Sequence, residues 1–205
     1  MSDEFIKAIE PVRNQYVEGY AAWLNEQIRQ HSQGSGERLY EIQGQTNFAR
    51  KLCRVDFAVT EGDNARTLEY SPKEMLGFPP MQGPVDGVMV QLHPFRWDRA
   101  VAEIPGAIWD KDKVTEWFNH WFGMVRDTPA ASPRSKPGFH IHACAWPEPG
   151  MLLIDFGSAP AKALADLIGV ARGVGAEQMV IRDAQVASPD AGQPLPGHPI
   201  PGQAV

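Results

Sequence analysis

The chain reads as an α+β protein in which a long N-terminal helix and a small antiparallel β region precede a ferredoxin-like β-α-β-β-α-β sandwich in the C-terminal half. Three observations predict this. Apolar residues recur every three to four positions over the first 31 residues. Two further stripes of helical period lie near residues 112–125 and 160–172. Between and around them run short segments that alternate apolar with polar residues. A period near 3.6 marks a helix face and a period of 2 marks a strand face.

In the first helix, Phe5, Ile9, Val12, Tyr16, Tyr20, Trp23 and Ile28 form the stripe, while Glu10, Arg13, Glu18, Glu26 and Arg29 face outward. Pro11 marks a kink or the true helix start, because it lacks an N–H to continue the ladder. Three strands are expected next, over 37–43, 50–60 and 66–70, the last two joined by a turn at Gly62-Asp63-Asn64. In the middle strand Cys53, Val55, Phe57 and Val59 alternate with Arg54, Asp56 and Ala58, predicting one buried face and one wet face. Residues 71–87 carry four prolines and three glycines, so they read as the boundary between an N-terminal part, 1–86, and a sandwich module, 87–183.

The module begins with a strand over 88–92, extending to His93 and paired with 99–104. A helix over 112–125 places Val114, Trp117, Phe118, Trp121, Phe122 and Val125 inward. Strands over 139–146 and 151–156 follow, then a helix over 160–172 with Ser158 as N-cap and Leu164, Leu167, Ile168 and Ala171 inward, then a strand over 178–182. With helices on one side, the other face of the sheet is left open. The segment 184–205 is proline- and glycine-rich with little apolar mass, and reads as a flexible tail.

The loop Pro147-Glu148-Pro149-Gly150 suggests a hairpin with Trp146 opposite Met151. That register sets Ala145, Ala143 and Ile141 against Leu152, Ile154 and Phe156 on an apolar face. It sets His142 against Asp155, Cys144 against Leu153 and His140 against Gly157 on the open face. His142 and Asp155 are then the candidate catalytic pair, a carboxylate orienting an imidazole as general base. His140, His142 and Cys144, with His93 from the first strand, are candidate ligands for a zinc-like divalent metal. The plainer alternative is an ordinary polar strand face.

Composition narrows the function classes. A net charge of −6 without a basic stripe argues against nucleic acid. No segment nears the roughly 20 apolar residues of a membrane span, and Met1-Ser2-Asp3-Glu4 lacks the basic start of a signal peptide, so a soluble cytoplasmic protein with reduced Cys53 and Cys144 is expected. Gly-X-Gly-X-X-Gly, Walker, Gly-X-Ser-X-Gly, His-Glu-X-X-His and Cys-X-X-Cys motifs are missing. The leading expectation is therefore a non-catalytic binding or regulatory protein. Its open face, bearing Met89, Trp146, Met151 and Leu153, would be covered by a second copy, a protein partner or the N-terminal part. The alternative is a metal- or His/Asp-dependent enzyme using the same face.

Overall fold

The computed structural model, described for residues 3–44, 47–61, 64–72, 74–123 and 137–185, is a mixed α+β structure with one long helix, a small antiparallel sheet and a larger mixed sheet. The expected turn residues Gly62 and Asp63, the helix end at Val125 and the tail from 186 onward lie outside the described residues.

Helix α1 (Asp3–Gln30) runs through Pro11 without breaking, and buries Phe5, Ile9, Val12, Tyr16, Tyr20 and Leu24. Pro11 is thus not the helix start, which lies eight residues earlier at Asp3. Trp23 is only half-buried, because the stripe drifts and hands its inward place to Leu24. Strands β1 (Gly34–Glu41), β2 (Leu52–Glu61) and β3 (Asn64–Leu68) form the small antiparallel sheet in the order β1-β2-β3. The expectation of one wet face on β2 is corrected: Asp56, Phe57, Ala58 and Val59 are all buried, since α1 covers one side and the larger sheet meets the other. Leu24 and Phe57 pack together on the α1 side, while Ala49 N–H and Arg54 N–H donate to Cys144 O and His142 O.

The larger sheet contains β4 (Met81–Val85), β5 (Val88–Leu92), β6 (Ala100–Glu103), β7 (Ala143–Glu148), β8 (Met151–Asp155) and β9 (Gln178–Asp183) in the order β4-β5-β9-β6-β8-β7. Two expectations change here. The Pro/Gly-rich segment contains β4, whose Pro84 is tolerated because β4 is an edge strand with one unpaired side. Strand β5 does not pair with β6: β9 inserts between them, parallel to β5 and antiparallel to β6. Helix α2 (Lys111–Phe122) is N-capped by Asp110, whose carboxylate accepts from the Asp112 and Lys113 N–H groups. It ends at Gly123, which adopts φ 85°. Trp117 is buried with its indole N–H donating to Ala163 O, but Trp121 is half-buried under Lys162. Helix α3 (Lys162–Gly173) buries Leu164, Leu167, Ile168 and Ala171 as expected. Ser158 does not cap it. Its hydroxyl accepts the His140 N–H instead, and Ala161 precedes the helix without a side-chain cap.

One hydrophobic cluster joins α1, α2, α3 and the larger sheet, with Trp97 stacked on Phe156 at 4.5 Å near its centre. The first half of α1 therefore shares the core of the C-terminal module rather than packing on its own.

Candidate functional site

The hairpin register differs by one residue from the expected one. Ala143 lies opposite Asp155, Cys144 opposite Ile154 and Ala145 opposite Leu153, with an irregularity before Glu148 meets Met151. Pro147 has no N–H for the ladder, so the chain bulges there and the turn tightens onto Pro149 and Gly150. A one-residue slip inverts a strand's faces. On β7 this puts Cys144 into the core at 1 % exposure and turns Ala143 and Ala145 outward, at little cost because all three side chains are small. Burial pushes the Cys144 thiol far up, so it stays an inert thiol. On β8 the expected faces hold, with Leu152 and Ile154 buried and Met151, Leu153 and Asp155 partly or fully open.

Ile141 remains in the core, and His142 lies just before β7, fully buried where the larger sheet meets the small one. Its backbone N–H donates to Asp155 O. The expected side-chain pair is present at a looser distance: His142 Nδ1 is 3.9 Å from Asp155 Oδ2, but 3.0 Å from Asp56 Oδ1. Its Nε2 lies 3.6 Å from Glu37 Oε1. Neither ring nitrogen has a hydrogen bond aligned along its axis, nor do Asp56 Oδ1 and Glu37 Oε1. Three carboxyl groups thus crowd one imidazole through charge more than through well-directed bonds.

Each neighbour is held from a different element. Glu37, in β1, adopts φ 49°, a left-handed conformation that costs a non-glycine residue of order 1–3 kcal/mol. Its Oε2 accepts from Gly138 N–H at 3.0 Å and contacts His140 Nδ1 at 3.2 Å. Asp56 Oδ2 accepts from Tyr70 N–H, while the Tyr20 hydroxyl donates to Asp56 O and the Tyr20 ring meets His142 edge-on. Arg54 donates to Glu37 O and Phe122 O, capping the carbonyl end of α2 where a cation is favoured. Gly157, at φ 49°, accommodates the imidazole, since a Cβ there would fall 2.1 Å from His142 Cδ2. Its N–H donates to Asp155 Oδ1.

Burial disfavours the charged form of His142, but the Asp56 and Glu37 contacts and the charge of Asp155 outweigh it and hold the pKa well above the ordinary 6.5. Burial likewise opposes ionisation of Glu37, yet His140, His142 and Ser158 hold its carboxyl well below the usual range. For Asp155, burial comes first and the negative charge of Asp56 adds to it, against the pull of His142. Its pKa is raised to about 7.

Asp155 is the outlet of this cluster, with 32 % of its side chain exposed against none for His142. It opens onto a cleft of about 450 Å³ lined by Tyr16, Phe48, Cys53, Asp56, Tyr70 and Asp98 among others. Of the candidate metal ligands, His140 and His142 share Glu37 as a neighbour, but Cys144 is in the core. His93 follows β5, separated from β7 by β9, β6 and β8. Among the described residues, no three His, Cys, Asp or Glu side chains converge as a metal-ligand set. Glu37 and Asp56 escaped the sequence reading, Glu37 because it lies in a glycine-rich stretch and Asp56 because it alternates as a wet-face residue. The lone acid between Phe57 and Val55 was the available signal for Asp56.

No family model, curated protein or solved structure matches the chain. Among the described residues no helix is long and apolar enough to cross a membrane.

Proposed function

We propose that the chain is an acid–base enzyme acting on a small molecule held in the cleft between its two sheets. Asp155 is the group that exchanges a proton with the bound molecule, and His142 is a positioning residue that tunes it. The observation that carries this reading is the placement of Asp155. It joins a buried, charge-crowded histidine to an open cleft with about a third of its side chain exposed, and its carboxyl has a proton affinity near neutral pH, where general acid–base groups work best. The backbone strain at Glu37 supports it, since strained residues cluster at functional sites. The frame would be a ferredoxin-like sandwich: the segment β6-α2-β7-β8-α3-β9 and the strand order β9-β6-β8-β7 support that reading, with β4-β5 as an added edge hairpin.

The test is a thermal-shift screen of small molecules on the wild type and Asp155→Asn side by side. Molecules bound through this carboxyl should raise the wild-type Tm with a dependence on pH that the variant lacks. Hits that stabilise both proteins alike would put ligand binding elsewhere.

A second reading, non-catalytic association through the sheet face, is favoured by the exposure of Met89 at 41 % and Leu153 at 38 %. Light scattering distinguishes it: a homodimer that Leu153→Asp dissociates would support that face as the functional surface.

A further inference from the structure

The lining of the cleft restricts what it can hold. Asp98 is already neutralised by two contacts from Arg96, and Arg54 spends its donors on Glu37 O and Phe122 O. Set against the two cations Arg54 and His142 are then four acids, Glu37, Asp56, Asp155 and the exposed Glu69. The wall of the cleft therefore carries surplus negative charge. Asp56 is 8 % exposed and lines the cleft, its Oδ1 3.0 Å from His142 Nδ1 and its Oδ2 accepting from Tyr70 N–H. The same cleft is also lined by aromatic rings: Tyr16, packed edge-on to Tyr70 at 5.4 Å, and Phe48. Ring faces and carboxylates together suit a cation with a hydrocarbon body, which gains charge-assisted hydrogen bonds at its head and ring contact along its stem. A bare metal ion fits poorly, because the acids do not converge as ligands and the space is far larger than an ion.

We propose that the cleft binds a small organic amine in its ammonium form, with the head between Asp155 and Asp56 and the alkyl body against Tyr16, Tyr70 and Phe48. This rests on the reading of the cleft as a ligand site with Asp155 at its floor. Binding of the cation favours the carboxylate of Asp155, so a proton leaves that carboxyl for solvent as the ammonium enters. The titratable and charged groups facing Asp155 are Arg54, Asp56 and Cys53 from β2, Asp98 before β6, Tyr16 from α1, Glu69 and Tyr70 after β3, and His142 before β7.

The experiment titrates the full chain with n-butylammonium chloride, and in parallel with sodium butanoate, 1-butanol and potassium chloride. It is read by amide NMR and by calorimetry in two buffers of different ionisation enthalpy. The expected result is saturable binding of butylammonium alone. The largest shifts should fall on the Gly157 and Tyr70 amides, which donate to Asp155 and Asp56. Protons should be released near pH 7, and affinity should fall about tenfold or more in Asp155→Asn. If that variant disturbs the spectrum beyond the cleft, Glu69→Gln at the rim is read instead and should weaken binding by about twofold. Butanoate binding as well as butylammonium, non-saturating shifts scattered over surface acids, or affinity indifferent to both substitutions would each overturn the inference. The Asp155 carboxyl signal without probe separates the two ideas. An ordinary carboxylate titration there defeats the proton-transfer reading, whereas a raised titration with no amine saturation defeats only the ligand assignment.

Discussion

Two buried charge clusters among the described residues are built on opposite principles. On the larger sheet, Arg182 at 6 % exposure donates through Nε and Nη2 to Glu103 and through Nη1 to Asp183 O. Asp183 in turn accepts from Arg96 N–H, Arg99 Nε and Gln185 N–H. Donors and acceptors there are matched on adjacent strands, as a structural ion pair requires. Around His142 the charges are unmatched: three carboxyls to one ring, no aligned hydrogen bond on either ring nitrogen, and a strained residue supplying one carboxyl. The contrast teaches which cluster stabilises the fold and which is tolerated by it. Polar groups left incompletely satisfied cost stability, and proteins keep such arrangements where they act.

The comparison can be broken most directly at Arg182. Removing one member of a satisfied buried pair strands the other, so Arg182→Ala should cost about 3–5 kcal/mol in urea unfolding. Gly157→Ala comes next. It introduces a Cβ against the His142 ring at positive φ, and should cost about 1–3 kcal/mol while displacing the imidazole, read as a shift of its ring signals. Asp155→Asn should have the opposite sign. A carboxyl whose folded pKa is raised destabilises the native state once it is forced to ionise. The amide should therefore leave stability unchanged near pH 3, gain on the wild type as pH rises from about 4 to 7, and exceed it by up to ~1 kcal/mol at pH 8. As a control, Lys162→Ala at the exposed pair with Asp166 should move stability by no more than ~0.5 kcal/mol.

The His142 cluster should respond to pH from both sides. The folded pKa of His142 is raised, so its contribution is complete below its unfolded value of about 6.5 and fades as pH rises through the folded value. Glu37 is depressed, so its contribution is present above 4.5 and is lost as pH falls toward its folded value. Melting scans from pH 3 to 10 should show both limbs, and His142→Gln should flatten the alkaline one. An alkaline limb unchanged in that variant would assign the loss of stability to another group.

Much of the frame was legible because it depends on short-range periodicity. The stripes of α1, α2 and α3 picked out Phe5, Val114, Trp117 and Leu164 as core residues, and the alternation Leu152, Ile154 identified the inner face of β8. What failed depended on information between elements. The β7 register was misread because Ala143, Cys144 and Ala145 are too similar in size to fix a face, while Pro147 imposes a bulge that no alternation shows. The pairing of β5 was misread because β9, nearly 90 residues later, takes the place beside it. His142 and Asp155 were found as neighbours on one hairpin. Glu37 and Asp56 reach the site only because the small sheet docks against β7, a long-range contact without a local signature.

The most direct test of the account is an NMR titration of the full chain from pH 4 to 10, following the Asp155 carboxyl carbon and the His142 ring nitrogens together. The account predicts that Asp155 takes up its proton near 7 rather than in the ordinary carboxylate range, while His142 remains an imidazolium well past 6.5. Asp155 titrating near 4 beside a histidine titrating near 6.5, each at about its unperturbed value, would contradict it.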